Sequence, residues 1–411
     1  MIEREFLIDV SRLVWRVWTG RLPTGIDRVC LAYLERYGDR AQAVVQRNGV
    51  FRILTARESD RLFNLIRQGG SGFRKRLAAL LPVVLATSTA RANGKGAIYL
   101  NIGHTGLDEP GLPEWVERCG LRAVFMVHDL IPITHPEFCR AGEDERHAAR
   151  MRNVLACASG VVVYSHSTRE ELAAFAAAEG LAMPPVANSW IASPVIPHVS
   201  AVGKSQRPYF IVVGTIEGRK NHILLLQLWR NFAARLGDTA PRLVIVGQRG
   251  WESEHAQAML DRTAGLRGHV EELGSTSDAE LARWIAGARA LLMPTFAEGF
   301  GLPVIEALQL GTPVICSDLP AIREFAGEIP LFLDPLDGKG WEAAILAFMD
   351  DCPERKRQLA LMPGYRAPDW DSHFAGVEPW LANLPRRRAQ APVRSRRDHA
   401  DRQYAATARR G

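Results

Sequence analysis

The sequence predicts an α/β protein made of two domains, each built around a doubly wound parallel sheet. Short apolar or β-branched runs alternate with longer helical patterns, which is typical of parallel α/β construction. The chain has 411 residues, too long for one ordinary core and suited to two domains of about 150 to 200 residues each. Two such domains would face each other across a cleft at the carboxyl ends of their strands, where ligands bind in this architecture.

Four strands are predicted in each half of the chain. In the N-terminal half they cover residues 5–9, 97–101, 122–127 and 160–164. In the C-terminal half they cover residues 209–213, 242–246, 290–294 and 313–316. Apolar spacings of three and four predict helices over 28–37 and 168–177. Ser277 followed by Glu280 predicts a capping box that opens a helix before the third C-terminal strand.

Composition divides the chain further. The stretch between Pro197 and Pro208 has the character of a linker. The expected parts are an N-terminal domain (1–200), a C-terminal domain (205–365), a terminal helix (366–385) and a tail (386–411). That tail contains nine arginines and two aspartates, so it accounts for the net charge of +6 and leaves the rest of the chain close to neutral. An arginine-rich segment without periodicity predicts disorder.

The cysteines, the N-terminal residues and the longest apolar stretch indicate the cellular compartment. The six cysteines have no ligand-like spacing, which argues against a zinc site and against a disulfide framework. The chain begins with charged residues where a signal peptide would be basic and then apolar. The longest apolar stretch, 77–86, is about half a membrane span and contains Pro82. We therefore expect a cytoplasmic protein, soluble or peripheral at the inner face of the membrane.

The run PTFAEGFGLPVIEALQLG, residues 294–311, carries the strongest functional signal. A strand ends there, a glycine loop follows, and Pro303 marks the first turn of a helix. Such a helix start favours an anion, for example a diphosphate. Glu298 and Glu306 flank the loop, and carboxylates there can accept hydrogen bonds from sugar hydroxyls. The alternative is that Glu306 only complements the helix dipole and the glycines only form a turn.

A second signal is the run VGTIEGRKNH, residues 213–222, which also follows a strand and precedes a helix. Gly214 and Gly218 allow the backbone to bend. Arg219 and Lys220 then extend from the loop at the carboxyl edge of the sheet, where an arginine can bind a diphosphate through two hydrogen bonds. The alternative, a pair of solvated surface charges, is less favoured by the glycine context.

Together these two runs resemble the GT-B glycosyltransferases of family four, or group 1. These retaining enzymes include many bacterial mannosyltransferases of polysaccharide and lipopolysaccharide assembly. The two glutamates have the E-x7-E spacing of that family. The resemblance is strong over residues 209–327 and weaker in the N-terminal half. It implies two Rossmann-like domains facing a cleft, with a C-terminal helix that crosses back to the first domain.

The resemblance also implies roles for individual residues. Arg219 and Lys220 would bind the donor diphosphate and neutralise the leaving group. Glu306 would hold the nucleotide ribose, and Glu298 would face the donor sugar. The remaining donor-binding candidates are Gly214 after the first strand, the base contacts Glu272, Leu273, Gly274 and Ser275, and the loop residues Gly299, Phe300, Gly301 and Leu302.

The N-terminal half contains two further, shorter matches. The run VHDLIPITHPE at 127–137 resembles the H-D-x-x-P segment of the family. By that resemblance His128 would lie near the transferring sugar, and Asp129 would position the acceptor or a loop. The loop TGRLPTGIDR at 19–28, between the first predicted strand and first predicted helix, resembles the glycine loop near the acceptor, which singles out Gly25. A simple connecting loop is the alternative there.

The expected activity is that of a hexosyltransferase acting with retention on a glycan or lipid-linked acceptor. The resemblance favours GDP-mannose over a UDP-sugar as donor and implies no metal and no other cofactor. The D-x-D match formed by Asp369 and Asp371 has no strand before it, so we interpret it as chance. The tail suggests peripheral contact with an anionic membrane, helped by the basic stretch 73–76.

Other functions remain open at this point. A GT-B-like epimerase or phosphorylase would share the architecture, although E-x7-E after Arg-Lys is less expected there. An oxidoreductase would need G-x-G-x-x-G after an early strand. A nucleic-acid-binding protein using the tail is the alternative of another class, and deletion of the tail would then abolish its activity. We expect no nucleic-acid partner.

Overall fold

A computed structural model describes residues 3–20, 25–70, 72–89, 96–192, 207–274 and 276–385. The basic tail and Ser275 lie outside these ranges, as does nearly all of the linker that the sequence predicts. All structural statements below refer to the described residues.

The N-terminal half forms a seven-stranded sheet in the order β3-β2-β1-β4-β5-β6-β7. Every neighbouring pair is parallel except the hairpin of β2 and β3. Strands buried on both faces read as continuous apolar runs, and the sequence predicts the three strands that are fully buried and a fourth that is buried except at Arg122. The strands are β1 (Phe6–Asp9), β2 (Ala41–Arg47), β3 (Val50–Ile53), β4 (Ile98–Asn101), β5 (Arg122–Met126), β6 (Ala158–Val163) and β7 (Val186–Asn188).

Eight α-helices accompany this sheet in the described residues. The prediction that residues 19–28 join the first strand directly to the first helix is wrong, because a helix already precedes that loop. The helices are α1 (Ser11–Thr19), α2 (Gly25–Tyr37), α3 (Ala56–Gln68), α4 (Phe73–Thr87), α5 (Leu112–Arg118), α6 (Ile131–Thr134), α7 (Glu143–Cys157) and α8 (His166–Glu179).

The C-terminal half forms a six-stranded, all-parallel sheet in the order β10-β9-β8-β11-β12-β13. Its strands are β8 (Tyr209–Val213), β9 (Arg242–Val246), β10 (Val270–Leu273), β11 (Leu291–Met293), β12 (Val314–Ser317) and β13 (Leu331–Leu333). Its helices are α9 (His222–Leu236), α10 (Glu254–Arg262), α11 (Asp278–Gly287), α12 (Leu302–Gln309), α13 (Pro320–Ala326), α14 (Gly338–Phe348), α15 (Pro353–Leu361) and α16 (Trp370–Ala382).

In the C-terminal half, the predicted bounds of two strands, a capping box and the start of a helix are confirmed. β8 and β9 have the predicted bounds. The hydroxyl of Ser277 accepts from the backbone of Glu280, whose carboxylate accepts in return from the backbone of Ser277, so the capping box is present. Pro303 lies in the first turn of α12. The sequence therefore predicted correctly the bounds of β8 and β9 and the starts of α11 and α12 at this sheet.

The last helix, α16, returns to the N-terminal half. The Nε2 atom of His373 lies 2.9 Å from the hydroxyl of Tyr33 in α2. The ring of Trp380 covers Gly160, where an added Cβ would be 2.6 Å from it. Asp369 is the N-cap of this helix and accepts a 2.6 Å hydrogen bond from the backbone of Ser372. That capping role accounts for Asp369 without a metal.

Each sheet has its own apolar core, and a third cluster of buried side chains includes residues from both halves. None of the helices in the described ranges is both long and apolar enough to cross a bilayer.

Candidate active site

The loop after β11 contacts the end of β5 in the other half of the chain. A Cβ atom added to Gly299 would lie 2.6 Å from the carbonyl oxygen of His128 and 3.2 Å from Cβ of Asp129. Only glycine permits such a close approach of two backbones. Phe300 is buried against Tyr164, with ring centroids 5.2 Å apart. The glycine loop and the predicted histidine therefore meet across the cleft.

The same loop ends at a helix N-terminus. Gly301 is the N-cap of α12 and has a φ of 105°, a conformation that favours glycine. The first amides of an α-helix have no partner within the helix, and the dipole is positive at that end. Leu302 and Pro303 form the first turn. The geometry thus provides an anion-binding helix end beside the contact between the two halves.

A buried cluster of charges lies after β8, next to this loop. Lys220 donates a hydrogen bond to Oε1 of Glu298. Nη1 of Arg219 lies 2.9 Å from the same oxygen, and its Nε lies 2.7 Å from Oε1 of Glu217. Gly214 adjoins the Lys220 side chain, since a Cβ there would be 3.5 Å from Cε. The predicted basic pair and the first glutamate of E-x7-E are therefore in direct contact.

At Glu298, burial and the neighbouring positive charges shift the pKa in opposite directions. Burial alone would raise the pKa of Glu298, but Arg219 and Lys220 hold that pKa below its usual value. Burial lowers the pKa of Lys220, and the charge of Arg219 lowers it further. Burial raises the pKa of Glu217. Glu298 is thus kept ionised by the two cations that the sequence assigns to an anionic ligand.

Several hydrogen-bonding groups of the cluster are still available. A guanidinium has five N–H donors and an ammonium has three. Within the described part of the chain, no acceptor contacts Nη2 of Arg219, and Lys220 donates to Glu298 alone. Oε2 of Glu298 likewise has no donor among these residues. An anion can therefore bind the two cations without separating them from Glu298.

Glu306 lies one turn into α12 and is half-buried. Burial raises the pKa of its carboxyl to about 7, although the charge of Arg28 acts in the opposite direction. None of the described residues donates a hydrogen bond to this carboxylate. Because a desolvated carboxylate without donors is unfavourable, Glu306 is suited to accept hydrogen bonds from hydroxyl groups of a ligand.

His128 is buried at the end of β5. Its Nε2 lies 2.7 Å from the carbonyl oxygen of Ile102, and since a carbonyl can only accept, Nε2 carries the proton. Burial lowers the pKa of His128 to about 4, so the ring is neutral near pH 7 and Nδ1 keeps its lone pair. The rings of His104 and Tyr164 flank it, with centroids 4.6 and 5.6 Å away. His128 therefore offers a hydrogen-bond acceptor and not a positive charge.

The predicted base contacts lie farther along the same edge, at the end of β10. Both carboxylate oxygens of Glu272 pair with Arg249, at 2.8 and 2.7 Å. Arg249 also pairs with Asp261 of α10. Leu273 is half-buried and ends the strand, and Gly274 follows it. A ligand that reached this point would meet an existing ion pair, two strands away from the basic cluster.

The helix α2, which begins at Gly25, also borders the site. A Cβ atom on Gly25 would lie 3.2 Å from Cδ1 of Leu302. In the same helix, Nη2 of Arg28 lies 2.6 Å from Oδ1 of Asp278 in α11. Arg28 is also near enough to Glu306 to lower its pKa. The first half therefore borders the site through α2 as well as through His128.

The sequence interpretation overlooked some residues at this contact. Glu324 of α13 accepts hydrogen bonds from the backbone N–H groups of His166 and Ser167, at 2.9 and 3.2 Å, and so caps α8 from the other half. Glu217 was within the run 213–222 but was not singled out. Arg28 ends the run 19–28 but was not singled out either, and Tyr164 and Arg249 belong to no quoted motif, so that only their contacts in the fold reveal them.

In the ranges that the structure describes, no group of three or more histidine, cysteine, aspartate or glutamate side chains is arranged to hold a metal ion. The positive charge of the site is supplied by Arg219, Lys220 and the N-terminus of α12.

Known sequences match part of the chain. Residues 199–359 match the family model described as Glycosyl transferases group 1. The O-antigen chain mannosyltransferase B of Escherichia coli is 36% identical over 157 residues, which are 38% of this chain and 40% of that protein. The serotype-specific mannosyltransferase WbdA of Escherichia coli is 31% identical over 233 residues, 52% of this chain and 28% of that protein. The chain thus spans less than half the length of these relatives.

Solved structures match almost the whole chain. The Anabaena protein Alr3699/HepE, in complex with UDP and glucose, superimposes with a TM-score of 0.64 at 15% identity and covers 93% of this chain and 100% of that one. Sucrose-phosphate synthase from Thermosynechococcus elongatus gives 0.60 at 14% identity, with 93% and 99% coverage. Residues 199–359 are therefore a domain of the group 1 glycosyl transferases, carried by a chain that has the GT-B fold.

Proposed function

We propose that this protein is a retaining hexosyltransferase of surface polysaccharide biosynthesis, with mannose as the favoured sugar. The observation that carries the proposal is the contact of Arg219, Lys220 and Glu298 with one another beside the helix end at Gly301. This arrangement matches a diphosphate leaving group. The relatives named as O-antigen chain mannosyltransferases support the choice of sugar and of pathway class.

The basic pair binds the donor diphosphate. Nη2 of Arg219 and the remaining ammonium protons of Lys220 donate to phosphate oxygens, and the N-terminus of α12 adds its amides. As the bond to the sugar breaks, negative charge develops on the diphosphate. Donors already fixed in a buried site stabilise that charge without reorganising, which is commonly the largest catalytic contribution. Transfer by this route is metal-independent.

The sugar lies between the two halves. Oε2 of Glu298 and Nδ1 of the neutral His128 both accept hydrogen bonds from its hydroxyl groups. Glu306 accepts from the ribose hydroxyls, and Glu272 and Leu273 border the base. GDP-mannose is the favoured donor, followed by a UDP-sugar. The acceptor is a glycan or a lipid-linked sugar held by the N-terminal domain, and we propose peripheral contact with an anionic membrane at its inner face.

Competing functions fit the site less well. In an epimerase or phosphorylase of the same architecture, the E-x7-E spacing of Glu298 and Glu306 after the pair Arg219 and Lys220 is less expected. A nucleic-acid-binding role would rest on the tail, which lies outside the residues that match the group 1 model.

A nucleotide-sugar screen tests the proposed function. Full-length protein is expected to bind GDP-mannose more tightly than UDP-glucose and to release mannose from it slowly when no acceptor is present. Calorimetry measures the binding, and chromatography measures the released sugar. The proposal is wrong if no nucleotide sugar binds to the folded protein.

Glu306 gives the donor site a characteristic pH dependence. Its pKa of about 7 stands above the usual 4.5, so protonation near neutral pH removes the ionised acceptor for the ribose. We expect the Kd for the nucleoside diphosphate to rise about tenfold for each pH unit below 7. In Glu306→Gln the Kd should be higher at pH 8 and nearly constant from pH 5 to 8. A wild-type Kd that does not change over this range would contradict the assignment.

The pH dependence of folding stability should be opposite to that of nucleotide affinity. Because the folded protein binds this proton more tightly than the unfolded chain, the carboxyl contributes stability below pH 4.5 and loses it as pH rises to 7. Glu306→Gln should therefore melt at a higher temperature than the wild type at pH 8. The difference should shrink towards pH 4.5.

A further inference from the structure

Two helices of the N-terminal domain expose an unusual surface. In α1, Trp15 is 64% exposed and Trp18 is 38% exposed. In the neighbouring α4, Val83 is 38% exposed, and Ala78 and Ala79 are exposed as well. From residue 77 to residue 87, α4 carries no charged side chain. A helix face that is apolar and also in contact with solvent marks an interaction site.

The two helices form one surface. They pack against each other, and Nε of Arg74 donates a 2.6 Å hydrogen bond to the carbonyl of Trp18. The guanidinium of Arg74 also lies over the Trp18 ring, 5.8 Å from its centroid. The opposite side of α4 is anchored in the core by Phe73 and Leu80. The exposed tryptophans are therefore held by a rigid support and are not the ends of a loose segment.

All charged side chains of α1 and α4 are positive. Neither α1 nor α4 contains an aspartate or a glutamate. Arg74 and Arg76 donate to neutral oxygen atoms, and no carboxylate in the described residues pairs with them or with Lys75. Arg12 and Arg16 of α1, by contrast, pair with the buried Asp27. Uncompensated positive charge thus borders exposed tryptophan and aliphatic side chains.

We propose that the outer faces of α1 and α4 dock on an anionic lipid bilayer. Tryptophans favour the boundary between acyl chains and headgroups, and basic residues beside them are attracted to anionic lipids. A protein partner would need acidic and apolar groups in a fixed pattern, whereas a bilayer offers both over any area. The proposal gives the membrane contact suggested above a defined surface.

The position of this surface suits a lipid-linked acceptor. Gly25 follows Trp18 by seven positions in the chain, and a Cβ atom added to it would lie 3.2 Å from Cδ1 of Leu302 at the start of α12. That length of chain spans at most about 25 Å. A bilayer under α1 would therefore lie beside the opening of the cleft, where an acceptor attached to a lipid could enter without leaving the membrane.

Vesicle co-sedimentation of the full chain tests the proposal. We expect wild-type protein to bind phosphatidylglycerol vesicles and to bind neutral phosphatidylcholine vesicles weakly. The double substitution Trp15→Ser and Trp18→Ser should weaken binding by about tenfold or more, since both apolar anchors are lost. Trp190→Ser removes an equally exposed tryptophan, 41% exposed, outside the two helices and should change nothing.

A second variant tests how much positive charge contributes to vesicle binding. Lys75→Glu should weaken binding to anionic vesicles by at least about fivefold, and it should have little effect on neutral vesicles. Lys75 is exposed, so unchanged melting would show that the fold is retained. Unchanged vesicle binding in the folded tryptophan double variant would overturn the proposal, because the binding would then come from another basic segment such as 386–411. Lys220→Ala should bind vesicles normally, so this test is independent of the proposed activity.

Discussion

Replacing Lys220 with alanine is expected to lower kcat/KM for sugar transfer by about 10²–10³-fold, the usual cost of removing one fixed donor to a developing negative charge. Lys220 is buried and contacts Glu298 directly. Its ammonium is thus held in place before the donor arrives, and water cannot replace it in a buried site. Arg219 remains, 2.9 Å from Glu298, so some binding of the diphosphate should survive. Steady-state kinetics with GDP-mannose measure the effect.

The control is another lysine of the same domain. Lys339 is exposed on α14 and forms no ion pair or hydrogen bond with the cluster among the described residues, so Lys339→Ala should leave transfer unchanged. Lys220→Arg keeps the charge on a longer, planar group and should recover part of the activity. Thermal melting must show that each variant is folded. If folded Lys220→Ala transfers sugar within about threefold of the wild type, the basic pair does not stabilise the leaving group.

The strands that the sequence predicted correctly share a physical property. β8 and β9 read YFIVV and RLVIV, and strands buried on both faces produce such continuous apolar runs. The strands that it missed are mostly at the edges of the sheets, where β3, β7, β10 and β13 each have one neighbour. Edge strands are short and partly exposed, so VEEL in β10 has no distinctive apolar pattern. β2 was also missed, because its glutamines interrupt the apolar run.

The residues of the candidate site also divide into those that a local sequence pattern predicts and those that it does not. The sequence brought forward Arg219, Lys220, Glu298 and Glu306 because each lies in a glycine-rich run next to a strand end. It could not supply the partners that come from distant positions. Arg28 and Asp278 are 250 residues apart, and Glu324 caps a helix 158 residues earlier in the chain. Such pairs depend on how the two domains meet, which no local pattern encodes.

The helix α1 was missed for a different reason. Its sequence SRLVWRVWT contains two valines and two tryptophans, residues that favour strands. Helix formation is instead supported by the contacts of Leu13 with the core and by Arg12 and Arg16, which pair with Asp27. The tryptophans that obscure the helical pattern are the ones left exposed. They are better explained by a partner surface than by packing within the chain.

Gly299→Ala is expected to lower kcat by about 10²-fold while leaving the affinity for the free nucleoside diphosphate within about twofold, since misplacement by about 1 Å at a reacting centre costs this much. The added methyl group would lie 2.6 Å from the carbonyl oxygen of His128, a backbone atom that cannot rotate away. The steric clash between the added methyl group and this oxygen is relieved only if the two domains separate by a fraction of an ångström or more. The proposed diphosphate contacts lie within the C-terminal domain and should persist, whereas the proposed contact of the sugar with His128 should be lost.

The matched control is Gly265→Ala, because no atom lies within 4 Å of the added Cβ and the backbone there has no positive φ. It should behave as the wild type in both measurements. Small-angle scattering of Gly299→Ala should give a slightly larger radius of gyration if the domains are held apart. If kcat is unchanged in the folded variant, then the close contact between Gly299 and His128 is not part of the reactive arrangement, and His128 has no direct role at the sugar. A fall in nucleotide affinity equal to the fall in kcat would instead assign Gly299 to donor binding alone.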